Sequence, residues 1–424
     1  MKLSKLFTKT SKEISEEEYS INAQYLLRWG FVRKEIAGVY SFLPLWLRVL
    51  NKIESIIRRH MDTVSQEILM TALQPIANRE KTHRLDVVDV LMKTTGANEK
   101  SKQKSTNEYI LGCTHEEIVT PLVQEFAKSY KDLPISVYQI QSKFRNEARA
   151  KSGLLRGREF RMKDAYSFHI DEADLLKYYE QMKIVYMKIF EDLGIWQDTY
   201  ITAASWWDFT DWFSHEFQTI CEAGEDDIYI DRANNMAYNK EVINPENASK
   251  LGVDFDTLEL ARACEVGNIF PLNTKFSQAF DYHYIDAQSK PQIVYMGCYG
   301  IWPSRIMGVL VEKFHDKNGI IRPDAIAPYR YCIIPIGDEA QHIAQELYQK
   351  MTEKNMEVVL DDRDCGPGFK LKDADLIGYP WKIIISDKTL AHAPDTAEFV
   401  ARKTGESSLT NIRQRLGQQG NRRG

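Results

Sequence analysis

Two runs that alternate in the period of a strand, 142–147 and 158–168, lie on either side of a short loop. From Phe144 to Asp164 the chain carries seven cations: Arg145, Arg149, Lys151, Arg156, Arg158, Arg161 and Lys163. Alternation of period two across a short connection predicts an antiparallel hairpin, and a hairpin needs a sheet to join. Its chemistry is equally confining. Arginine forks grip phosphate oxygens in bidentate fashion, Glu147 offers an acceptor for an exocyclic amine, and Phe160 offers a ring face for a base. A mouth of this kind suits a nucleoside triphosphate. Charge content alone favours a solvated, salt-bridged hairpin, so the assignment has to come from what surrounds the hairpin.

Upstream, residues 17–30 read as a helix with Tyr19, Ala23, Leu26 and Leu27 on one side, and a turn-rich connector covers 38–44. Leu47, Leu50, Ile53, Ile56 and Ile57 keep helical spacing through 45–61, which predicts a long amphipathic helix. A strand over 67–73 ends near Pro75. Residues 96–108 are polar and lysine-rich and read as a loop or hairpin tip. A strand at 109–112 precedes Thr114-His115-Glu116-Glu117, where Thr114 and Glu117 have capping-box spacing for a helix over 118–130. The pattern at 172–193 is a second clear helix, closed by Gly194. Residues 231–262 look like a short connector insertion, followed by a strand at 293–296 and a helix over 301–313.

Pro323 and Pro328 punctuate a boundary, and beyond it the pattern changes to strand 331–335, helix 339–354, strand 357–360, helix 370–376 and strand 381–386. That βαβαβ order predicts a separate α/β domain. At 424 residues the chain has room for such a division. The net charge of −5 gives no global attraction to nucleic acid, so any such contact must be local. The last stretch, from Arg402, holds Arg402, Lys403, Arg413, Arg415, Arg422 and Arg423 against one acid, Glu406; it reads either as a basic tail touching RNA or as a solvated terminus. Six scattered cysteines without a C-x-x-C pair argue against a zinc knuckle or a disulfide framework, and no metal ligands stand out. No stretch has the length and apolarity of a signal peptide or membrane span, and Glu13 and Glu16 to Glu18 are unlike an organellar presequence. A cytoplasmic protein is expected.

The order Phe144-Arg145-Asn146-Glu147, loop, Arg156-Gly157-Arg158-Glu159-Phe160 resembles motif 2 of the class II aminoacyl-tRNA synthetases. The long helix followed by a strand near Pro75 is similar to motif 1, and Met296-Gly297-Cys298-Tyr299-Gly300-Ile301 through Ser304-Arg305 to motif 3. Within that family the segments Thr114-His115-Glu116-Glu117, Met162 to His169, and Ser214-His215-Glu216-Phe217-Gln218 resemble the proline-specific branch. Asp361-Asp362-Arg363, Lys370 to Ala374 and Gly378-Tyr379-Pro380 resemble its anticodon-binding domain. The motifs are collinear over nearly the whole chain.

The resemblance implies an α+β catalytic domain over 1–325, an antiparallel sheet flanked by helices. A mixed five-stranded α/β anticodon-binding domain would cover 326–424. It implies ATP-dependent ligation of L-proline to tRNA(Pro) through an adenylate, with Mg2+ on the polyphosphate, in a homodimer. Arg145 would bridge the proline carboxylate and the α-phosphate. Glu147, Arg156, Phe160 and Arg305 would hold ATP. Thr114 and Glu116 would take the proline ammonium, His215 and Phe217 would wall the ring, and Asp362, Arg363 and Lys370 would meet the anticodon. Only about 126 residues separate His169 from Met296, too few for the large editing insertion of many bacterial forms.

The chain also departs from the family pattern. Thr71 stands where motif 1 has a proline. Trp206-Trp207-Asp208-Phe209-Thr210-Asp211-Trp212-Phe213 replaces a glycine-rich stretch, and Trp302-Pro303 stands where motif 3 has a glycine. These changes leave open a catalytically impaired paralogue that binds tRNA or protein.

Overall fold

The computed structural model describes residues 1–10, 20–150, 152–204, 214–246 and 248–412. Lys151, Tyr19, Glu13, Glu16 to Glu18, the aromatic run 206–213 and the tail cations Arg413, Arg415, Arg422 and Arg423 lie outside the described residues. The chain forms two compact units, one of Glu35–Tyr40 and Ile53–Val309, the other of Met1–Lys34, Ser41–Lys52 and Leu310–Gly424.

The helices expected over 17–30 and 45–61 are found, the first shorter within the described residues. Helix α1 spans Ile21–Arg28 and α2 spans Pro44–Met61. Proline opens α2 because its fixed φ suits a first turn whose N–H groups have no partner. Leu50, Ile53, Ile57 and Met61 fall on one stripe and are at most 3% exposed. Each such side chain stabilises the fold by about 1.5–3 kcal/mol, and Ile57→Ala would cost about 2–5 kcal/mol. The strand expected over 67–73 survives only as Gln66–Glu67 and Leu73–Pro75. Residues 96–108 contain a short helix, Glu99–Lys104, because the Asn98 side chain accepts from the Ser101 amide at 3.0 Å and caps it.

The larger unit is built on a nine-stranded sheet. Its functional half comprises strands β1 (Ile135–Phe144), β2 (Glu159–His169), β3 (Ser214–Ile220), β4 (Glu259–Asn273) and β5 (Tyr295–Ile301). These pair antiparallel in the order β3-β4-β5-β2-β1. The predicted hairpin is β1–β2, with Ser142 opposite Arg161 and Phe144 opposite Glu159. Arg145, Asn146 and Glu147 therefore lie in its mouth rather than in the strand. The region 231–262 contributes Met236–Asn239 and the first residues of β4 to the same sheet. One sheet face is covered by α4 (Glu172–Asp192), which Asp171 caps through the Asp174 amide at 2.8 Å. Against the other face lies α3 (Glu116–Phe126), whose Val119 and Val123 join a core with Tyr166, Phe168 and Met296.

In the smaller unit, Tyr331–Ile336, Val358–Leu360, Trp381–Ser386, Thr396–Ala401 and Ser407–Asn411 form a mixed five-stranded sheet, two pairings parallel and two antiparallel. The helices Asp338–Glu353 and Pro367–Ile377 supply the crossovers. Its last two strands continue past the βαβαβ pattern visible in the sequence. Arg402 belongs to this packing, 8% exposed and 2.6 Å from Asp316, so it is no free tail cation. Among the described residues no helix is long and apolar enough to cross a membrane.

Candidate active site

Strand alternation sorts the expected site residues between the two faces of the sheet. On the α3 face, Asp164 of β2 accepts from Gln139 at 3.0 Å and from Tyr166 at 2.9 Å, and pairs with Lys143 at 2.8 Å. The His115 amide donates to the Tyr166 oxygen at 3.0 Å, which anchors the start of α3 to the sheet. Lys143 Nζ lies 2.6 Å from His115 Nδ1, so Nδ1 accepts and Nε2–H donates to the Thr71 carbonyl at 3.0 Å. Burial and the Lys143 charge lower the His115 pKa to about 4, leaving the ring neutral.

Glu116 lies at this corner. Its Oε2 accepts from Thr114 Oγ1 and from Arg84 at 3.2 Å, while the Cys298 thiol meets Oε1 at 3.6 Å. Thr114 thus does not cap the helix: its hydroxyl is bound to Glu116, and His115 occupies the N-cap position without a side-chain bond. The Thr114 carbonyl is held by Gln74 at 2.9 Å and Arg79 at 3.0 Å. Thr114 and Glu116 are brought together as expected.

The hairpin mouth gathers a second group. Arg145, Glu147, Arg156, Phe160, Trp302 and Arg305 line one cleft. The Arg145 guanidinium lies 5.2 Å from the Phe160 ring centre. Arg156 bridges Glu147 at 2.7 Å and Glu225 at 2.8 Å. Arg305 donates to the Leu155 carbonyl at 2.8 Å and to Glu265, and sits 4.6 Å over the Trp302 ring. Leu154 and Leu155, 7% and 3% exposed, fold into the same cleft and leave ≈ 10 Å³ in which the centre of a water-sized sphere can move. That is about the room one water molecule needs, far less than a nucleotide fills. The loop must move for a nucleotide to enter.

Two expected residues are placed elsewhere. His215 Nδ1 lies 2.8 Å from the Tyr179 hydroxyl, and Phe217 packs against Tyr186 and Phe190 with ring centres 5.0 and 5.5 Å away. All three partners belong to α4, so His215 and Phe217 point to the face opposite Glu116. The expectation that they wall a pocket beside Thr114 is corrected by the register of β3, whose alternate residues Glu216 and Gln218 face the other way. Burial, with Glu265 nearby, raises the Glu216 pKa to about 8.

In the smaller unit Asp362 accepts from the Ser4 amide and hydroxyl at 2.9 and 2.7 Å. Arg363 pairs with Asp361 and Asp373 at 2.7 and 2.8 Å. Lys370, 3% exposed, donates to the backbone carbonyls of Asp361 and Pro335. Its ammonium thus lies inside the fold, while Asp362 and Arg363 are half-buried.

An antiparallel sheet that carries an anchored carboxylate and a cationic hairpin points to the class, a class II aminoacyl-tRNA synthetase. The family described as tRNA synthetase class II core domain (G, H, P, S and T) matches residues 99–314, and the family described as anticodon binding domain matches 331–416. Proline–tRNA ligase of Rickettsia bellii is 36% identical over 432 residues, covering 98% of each chain. That of Ehrlichia chaffeensis is 33% identical over 434, covering 98% of this chain and 99% of its own. The chain belongs to the proline–tRNA ligase family. The enzyme of Geotalea daltonii aligns at 31% identity over 570 positions, 146 more than the 424 residues here, so it carries inserted sequence that this chain lacks. Among solved structures, prolyl-tRNA synthetase of Giardia lamblia in complex with prolyl-adenylate shares the fold with TM-score 0.74 at 20% identity, covering 92% of this chain and 74% of its own. The Cryptosporidium parvum enzyme complexed with L-proline and AMP gives 0.75 at 16%, covering 97% and 76%.

Proposed function

We propose that this chain activates L-proline with ATP and transfers it to tRNA(Pro). The observation that carries the reading is the pairing of an anchored carboxylate, Glu116, with a cationic hairpin mouth in one class II unit, in a chain that matches proline–tRNA ligases over nearly its full length. Activation brings two anions together, the amino-acid carboxylate and the α-phosphate. A fixed cation between them lowers that barrier, and Arg145, the residue that follows β1, supplies it. Glu147 accepts from the adenine amine, Phe160 stacks on the base, and Arg156 and Arg305 turn from their present partners to phosphate. Glu116 and Thr114 hold the secondary ammonium. Magnesium arrives with ATP as part of the substrate; among the described residues no cluster of three or more His, Cys, Asp or Glu side chains forms a metal site of its own. Positioning and charge stabilisation suffice for the displacement, without a general base.

Residues 1–325 serve as the catalytic part and 326–424 as the anticodon-binding part, with Asp362 and Arg363 toward the tRNA and Lys370 bracing them. Exposed Tyr130 and Ile285, 39% and 45% accessible and joined by a backbone bond of 3.0 Å, with Phe126, 75% accessible, four residues before Tyr130, support a homodimer contact. A cytoplasmic location suits an enzyme with free cysteines. Proline-dependent ATP–pyrophosphate exchange followed by charging of tRNA(Pro) tests the reading. Absence of exchange with each of the twenty amino acids overturns it in favour of the impaired paralogue.

A further inference from the structure

Two adjacent carboxylates, Glu116 and Glu117, are buried at the start of α3, 6% and 0% exposed. Burying two like charges side by side is unfavourable unless cations answer them. Arg84 does so for both: its Nη1 lies 3.2 Å from Glu116 Oε2 and 2.8 Å from Glu117 Oε1. Arg79, fully buried, adds a contact to Glu117 at 3.1 Å. Among the described residues Arg84 is the cation within ion-pair distance of Glu116.

The two oxygens of Glu116 are used unequally. Oε2 is committed to Arg84 and to the Thr114 hydroxyl, while the side chain that meets Oε1 among the described residues is the Cys298 thiol, a weak donor. We propose that Arg84 is a positioning residue of the amino-acid site, holding Glu116 as an ionised carboxylate with Oε1 left to receive the substrate's ammonium. The proposal rests on the reading that Glu116 binds that ammonium. It assigns to Arg84 a part in amino-acid recognition without contact to the amino acid.

The titratable and charged groups around Glu116 are Arg79 and Arg84, Glu117 and His115 at its own helix start, Lys143 and Tyr166 from the hairpin strands, and Cys298 from β5. Burial alone drives the Glu116 pKa upward; Arg84 first, then Thr114, hold it down at about 2. Without the Arg84 charge, burial prevails and the carboxyl titrates toward neutral pH.

The test is pyrophosphate exchange by the full chain between pH 6 and 8.5. Arg84→Gln is expected to raise KM for proline about tenfold or more at pH 7 and to give it a new pH limb, KM falling as pH rises, with KM for ATP within about twofold of wild type. Arg84→Lys restores the charge and should return KM for proline to within about twofold. Three results overturn the proposal: an unchanged KM for proline in Arg84→Gln, an equal rise in both KM values, or a rise without the pH limb. Should the glutamine variant fail to fold, Arg84→Lys decides, because a tenfold rise in KM for proline there is incompatible with a role carried by charge. Glu116→Gln separates the two ideas: if it leaves KM for proline unchanged, the reading of Glu116 falls whatever Arg84 does.

Discussion

The amino-acid corner and the nucleotide cleft are furnished with similar side chains in opposite conditions. At the corner, Glu116 and Thr114 are held by Arg84, Arg79, Gln74 and the Lys143–Asp164–His115 network, so the acceptor is ionised and fixed before any substrate arrives. In the cleft, Arg305 is spent on the Leu155 carbonyl and Arg156 on two glutamates, and two leucines fill the space. Preorganisation is thus uneven. On the proposed reading, one half is set for its ligand as it stands, whereas the other exchanges internal partners for phosphate and base. Ionic bonds to side chains and carbonyls are suited to such exchange, because phosphate oxygens replace them in kind.

Breaking either half should therefore leave a different signature. The largest effect is expected for Arg145→Ala, about a 10³-fold loss in the rate of pyrophosphate exchange, since it removes the cation between two anions. An Arg145→Ala variant that exchanges normally would falsify the assignment. Glu116→Gln should raise KM for proline by about a hundredfold and leave KM for ATP nearly unchanged, as expected when one member of a buried charge pair is lost; equal changes in both constants would dissolve the division into halves. Next comes stability. The folded His115 pKa of about 4 lies below its ordinary value of 6.5, so the unfolded chain binds the proton first. This contribution is complete above pH 6.5 and is lost as pH falls toward 4, amounting to about 2 kcal/mol between pH 7 and 5. Urea unfolding at both pH values measures it, and His115→Asn should flatten the difference. The smallest effect is a gain: Leu155→Ala should lower KM for ATP about two- to fivefold by populating the open loop. A raised KM would show that Leu155 supports the nucleotide rather than excludes it.

Much of this was legible in the chain. The hairpin, the long helices and the α/β pattern after residue 331 follow from period and punctuation, because those segments bury one face each. Local spacing failed where a tertiary partner outbid it. Thr114 has the spacing of a helix cap, yet Glu116 and its arginines claim its hydroxyl. His215 and Phe217 sit in a functional motif, yet a motif does not state which sheet face a residue takes. Arg84 and Arg79 lie in a stretch without strong periodicity, and only the return of α3 over it brings them to the glutamates. Lys143 and Asp164 did carry a signal: charged residues at inward positions of a strand imply a buried pair.

The stack of Arg305 on Trp302 has an optical consequence. A tryptophan 2% exposed beneath a guanidinium emits in an environment set by that charge, and any ligand that draws Arg305 to a phosphate changes it. Where a glycine would have been silent, the indole makes occupancy of the nucleotide cleft visible as intrinsic fluorescence, with no label and no coupled reaction.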